Sequence, residues 1–139
     1  MTRTLLRNRL TGRASVIATG LRLATVLIMV PAALAKLADL HTAALGLARF
    51  GYPETPLLPL ALAILELLAA VALLLGVLTR PAALGLAIVM VGATIANLLF
   101  WPAVAPLTIG ILAGMVYLLW AGPGALAVDN YLSGKYEED

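Results

Sequence analysis

Residues 66–90 read ELLAAVALLLGVLTRPAALGLAIVM, and the short element GVLTRP inside them decides the fold. On either side of it, from Leu67 back toward Leu57 and from Pro81 on to Trp101, the chain is almost wholly apolar. A helix needs about 20 such residues to cross a bilayer core. These runs have to be helical, because a backbone facing lipid must close its hydrogen bonds within the segment. They lack the alternation of a barrel strand. Gly76 permits the turn that ends the first helix, and Pro81 suits the first turn of the next. The two helices are therefore expected to be antiparallel neighbours. Within the first of them stands a carboxylate, Glu66.

The same pattern continues outward in both directions. The expected spans are residues 15–37, 57–78, 81–101 and 104–121. The connection FWPAVAP joins the last two as tightly as GVLTRP joins the middle pair. The longest connection, ADLHTAALGLARFGYPETP, has helical apolar spacing from Leu40 to Phe50 and reads as a short interfacial helix ended by Gly51 and the prolines. The expected fold is all-α: a polytopic membrane protein, a four-transmembrane-helix antiparallel bundle with a short interfacial helix between spans one and two. Residues 1–139 form one membrane domain, with 122–139 as a cytoplasmic tail.

Composition agrees with this. Of the 139 residues, 63% are hydrophobic and 12% charged, whereas a soluble domain carries about 25% charged residues. Arg3, Arg7, Arg9 and Arg13 precede the first run as they would in a signal peptide. That run exceeds the roughly 7–15 residues of a signal core, so the first helix is expected to stay with the chain. The N-terminal arginines, Arg80 and Lys135 fall on one side of the membrane, and Lys36 and Arg49 on the other. The positive-inside rule then puts both termini in the cytoplasm. Phe100, Trp101 and Tyr52 would belt the outer interface; Tyr117, Trp120 and Tyr131 the inner one. Pro31 is expected to bend span one. Gly110 and Gly114 form a GxxxG that suits close helix contact, within the fold or between protomers of a homo-oligomer.

Ionisable residues inside spans point to function by default. Arg22 and Glu66 qualify, and Lys36 lies near the outer end of span one, within snorkelling reach of the interface. Counted at 1.5 Å per residue from the cytoplasmic side, Arg22 lies about 10 Å deep and Glu66 about 18 Å. An Arg22–Glu66 pair is the favoured arrangement; Lys36 is separated from Glu66 by a similar or larger depth in the opposite direction, and snorkelling of Arg22 to cytoplasmic lipid phosphates is the alternative. Three readings follow: an ion pair that sets helix register, a polar wall for a ligand such as a quinone headgroup, and proton transfer through a desolvated carboxyl. Arg22, Met29 and Lys36 share one face of span one, expected to look inward. Thr94 and Asn97 share a face of span three with Met90, as interhelical hydrogen-bonding groups or as further ligand contacts. His41, beside Asp39, is the single histidine, which excludes a bis-histidine haem within one chain. The chain has no cysteine, hence no thiolate chemistry or cysteine-bound metal. No metal-ligand cluster, nucleophile triad or phosphate loop is legible. The basic N-terminus suits anionic lipid rather than nucleic acid.

The layout resembles the DoxX family of small four-helix membrane proteins. The resemblance is carried by LRLATVLIMVPAALAKL in span one, FGYPETP before span two, ELLAAVALLLGVLTRPAALGLAIVM across spans two and three, and the tail GPGALAVDNYL. The tail departs from the family where LAVD replaces its more usual serine and leucine before the aspartate. The positions the resemblance marks are Arg22, Lys36, Glu66, Gly76, Arg80, Gly122, Gly124 and Asp129. It implies a bacterial cytoplasmic-membrane protein, with some members resembling the membrane subunit of a thiosulfate:quinone oxidoreductase. The expectation is a non-catalytic accessory or anchor subunit of a quinone-linked redox complex, with other membrane subunits as partners. The alternatives are a quinone-binding subunit of such an oxidoreductase and a small-molecule permease. No intrinsic cofactor is expected; quinone is the ligand left open.

Overall fold

The computed structural model describes residues 13–122, 124, 127 and 128. Among these, the regular elements are five helices: α1 Arg13–Ala38, α2 Leu40–Ala48, α3 Leu57–Leu75, α4 Thr79–Phe100 and α5 Ala105–Ala121. α1, α3 and α4 are each long and apolar enough to cross a membrane, and α5 is a shorter apolar helix of 17 residues. The chain is an all-α, multi-pass membrane protein.

Local chemistry sets the helix ends. The Asp39 carboxylate accepts from the Thr42 N–H at 3.0 Å and so caps α2, satisfying one of the donors a helix start leaves open. α3 ends in a Schellman turn. The Val77 N–H donates to Ala72 O at 2.9 Å and the Gly76 N–H to Leu73 O at 3.2 Å, with Gly76 left-handed at φ 68°. Leu78 is also left-handed, at φ 49°, an unusual state for a branched side chain. The turn is thus tighter than expected: residues 76–78 leave the helix, and α4 starts at Thr79, ahead of Pro81. α1 runs unbroken through Pro31, whose side is exposed.

α3 packs on α1 and α4, and α5 on α4 and α1, while α2 leans on α3 and α1. Two contacts fix the sense of α1 against α3. Lys36 meets Glu66, and Arg22 lies against Gly76, so higher numbers on one helix face lower numbers on the other. The interior is built from small residues. Ala18, Ala33, Ala63, Ala70, Ala83 and Ala121 are all fully buried, while Leu27, Leu57 and Leu99 are at least 70% exposed. This is the arrangement of a protein whose outside solvent is as apolar as leucine, where small residues let backbones approach. The larger core side chains, Met29, Leu73, Leu86, Met90, Met115 and Leu118, form one contiguous cluster.

Candidate functional site

The Glu66 carboxylate is held by Lys36, not by Arg22. The Lys36 ammonium donates to Glu66 Oε2 at 2.7 Å and to Oε1 at 2.9 Å. The glutamate side chain is 3% exposed and the lysine side chain 29%. The expected Arg22–Glu66 pair is therefore corrected. Depth along the helices misled because side chains do not project at right angles. In a helix each Cα–Cβ bond tilts toward that helix's own N-terminus. α1 and α3 run in opposite senses. Lys36 therefore leans back along α1 toward Glu66, and Glu66 leans back along α3 toward Lys36. Arg22 leans away from both.

Arg22 is 2% exposed and belongs to a second polar layer, about 21 Å from Lys36 along α1. A Cβ built on Gly76 would stand 2.5 Å from Arg22 Nη1 and 2.6 Å from the Ala127 Cβ, so glycine is required here for space as well as for φ. Arg80, 9% exposed, reaches the Trp120 carbonyl at 3.5 Å. Gly122 and Gly124 are buried at the same end. Gly124 has φ +85°, and a Cβ on it would come within 2.6 Å of Thr19 Oγ1 and 2.8 Å of the Ser15 carbonyl. Tyr117 Oη donates to the Ala14 carbonyl at 3.3 Å and fastens α5 to the start of α1. The sequence-derived set thus divides: Lys36 and Glu66 in one place, Arg22, Gly76, Arg80, Gly122 and Gly124 in another. Asp129 lies outside the described residues.

The Arg22–Met29–Lys36 stripe does look inward, with Arg22 and Met29 buried and Lys36 half-buried. Thr94 is buried and Asn97 half-buried on α4. Thr94 Oγ1 has no hydrogen-bond partner among the described residues, so it does not tie α4 to a neighbour. Gly110 faces outward, where an added Cβ would meet nothing within 4 Å, whereas Gly114 is buried and a Cβ on it would stand 3.2 Å from Leu21 Cδ2 of α1. His41 is exposed at the start of α2. Among the described residues no group of histidine, cysteine or carboxylate side chains is placed to hold a metal. Phe50, Phe100 and Trp101 cluster edge to face at the α2 end, with the Arg49 guanidinium 5.7 Å from the Trp101 ring centre. Tyr117 and Trp120 lie near each other at the opposite end; Tyr131 is outside the described residues.

Depth counting weighs Lys36 against Arg22 as the partner of Glu66 and ranks it second, whereas the structure pairs Lys36 with Glu66. The signal that finds it is directional: two side chains on opposed helices converge when each lies toward the C-terminal side of the meeting point.

The DoxX family model matches residues 17–101. The chain belongs to the DoxX family. The matched stretch of this DoxX protein holds Arg22, Lys36, Glu66, Gly76 and Arg80 together, and ends before Gly122, Gly124 and Asp129. No curated protein and no solved structure matches the chain.

Proposed function

We propose that this DoxX chain is a four-span subunit of the bacterial cytoplasmic membrane, with α5 as its fourth span and both termini in the cytoplasm. Its role is to anchor or accompany a quinone-linked redox complex, without catalysis of its own. One observation carries this reading. Between α3 and α4 an outward-facing groove of about 590 Å³ is lined by Ala61, Ala69, Ala72, Ala82 and Gly85 together with Ile64, Leu65, Leu68, Leu78 and Pro81. Small residues let two helix backbones come close in lipid, so the groove suits the transmembrane helix of a partner subunit. The basic residues of the N-terminus and Arg80 support the cytoplasmic placement.

The test is native mass spectrometry on protein extracted gently from its own membrane. A stoichiometric partner chain is expected, and Gly85→Leu, which fills the groove without touching the interior, should remove it. A chain that travels alone refutes the anchoring role. A second reading, a quinone site at the Lys36–Glu66 pair, is favoured by the donor inventory of lysine. An ammonium has three N–H groups, and the single Glu66 carboxylate, which lies on one side of it, leaves at least one of them over. Gently extracted protein should then contain quinone, reduced by Lys36→Met; protein devoid of quinone sinks this reading.

A further inference from the structure

We infer that the Lys36–Glu66 pair is loaded from the α2 end only, and that the opposite end is closed twice. This deepens the ligand reading of the pair by naming the side and the chemistry of what reaches it.

The exposed part of the pair is the lysine, which lies two residues from the end of α1, beside α2. The two Glu66 oxygens lie 2.7 and 2.9 Å from Lys36 Nζ on one side of the ammonium, so tetrahedral geometry directs at least one N–H away from the carboxylate, and the lysine side chain is the exposed member at 29% against 3%. In the other direction the path is dry. Ala69 and Leu73 follow Glu66 along α3, Met29 precedes Lys36 on α1, and Leu86 and Met115 close the layer from α4 and α5. Leu73, Leu86 and Met115 have no exposure at all. Beyond this layer lies a second closure, made by Gly124 and Ala127. Gly124 is pressed onto Ser15 and Thr19, and Ala127 onto Gly76, over the buried Arg22. A proton or polar ligand entering from that end would cross an apolar layer with no room for water, which is costly.

The charges of the pair cancel. The spare N–H therefore suits a neutral oxygen acceptor, such as the carbonyl of an amphiphile, better than an anion, which the adjacent Glu66 carboxylate would repel.

Lys36 and Lys135 are the lysines of the chain, so Lys135→Arg leaves Lys36 as the only one. Sealed vesicles of each orientation are treated with a membrane-impermeant amine-acylating reagent, and the modified peptides are mapped. Lys36 should be acylated from the side opposite the one that labels the N-terminal amine, with loss of labelling in the other orientation. Glu66→Gln should speed the reaction without changing its side. Gly124→Ala, which disturbs the second closure, should leave the side unchanged because the Leu73–Leu86–Met115 layer remains. A ketone-headed amphiphile should protect Lys36, and an alkyl phosphate of equal chain length should not. Labelling from the N-terminal side, from both sides alike, or from neither even in Glu66→Gln overturns the inference; protection by the phosphate alone overturns the ligand class. Quinone content is read separately, so the quinone reading can fail while one-sided access holds.

Discussion

Removing Lys36 should be far more damaging than removing Glu66, although both changes break the same pair. Lys36→Met strands a carboxylate that is 3% exposed and that has no other partner among the described residues, so its oxygens lose the one cation that holds them. Breaking a buried ion pair in this way costs about 3–5 kcal/mol. Glu66→Gln strands the lysine instead, which is 29% exposed and lies near the end of α1. Its long stem can carry the ammonium to the interface, and the remaining amide still accepts a hydrogen bond, so the loss should be about 1–2 kcal/mol. The double variant Lys36→Met/Glu66→Leu leaves no charge to desolvate and should recover to within about 1 kcal/mol of the parent, or exceed it. The assay is reversible unfolding in mixed micelles by denaturing detergent, followed by far-ultraviolet circular dichroism. Equal losses for the two single changes would refute the reasoning, because they would mean that burial of the two partners does not differ. A cycle of Arg22→Met with Glu66→Gln serves as the control. Coupling above about 0.5 kcal/mol there would restore the arginine as partner, since well-separated sites add within that margin.

Gly76→Ala should lose about 1–2 kcal/mol for its left-handed φ alone, and more because Arg22 and Ala127 occupy the space; the same unfolding assay reads it. Gly85→Ala, with nothing within 4 Å of its added Cβ, should instead be neutral or stabilising by up to about 1 kcal/mol. Tyr117→Phe removes the hydroxyl that holds the Ala14 carbonyl and should speed amide exchange in the first turns of α1 while leaving Lys36 labelling unchanged. The Asp39 carboxyl is held below its ordinary value of 3.8 by hydrogen bonds from Thr42. Because the folded-state value is the lower one, the cap contributes fully above the unfolded value and is lost as pH falls through the folded one. Amide exchange at the start of α2 should therefore rise in acid below that range, and Asp39→Asn, which keeps a capping oxygen, should remove this dependence.

Much of the fold was legible from hydropathy. The expected run 15–37 is α1 at Arg13–Ala38, the expected 104–121 is α5 at Ala105–Ala121, and the interfacial helix expected from Leu40 to Phe50 is α2 at Leu40–Ala48. Lipid imposes this legibility, since a segment that cannot hydrate its backbone has little choice but to be helical. The α3–α4 turn was legible in kind from Gly76 but not in detail, because nothing in the letters of Leu78 announces a left-handed backbone.

An apolar helical membrane protein, the residues too polar to face lipid, and the inward face of α1 are all legible in the order of the amino acids. Those properties are local: hydrophobic length, helical period and the cost of a charge in hydrocarbon. That Glu66 belongs to Lys36, and that Arg22 lies against Gly76 at the other end, emerges when the helices pack. Pairing depends on the relative direction and offset of two helices, and on the tilt of each side chain along its own axis. A one-residue count along either helix contains neither.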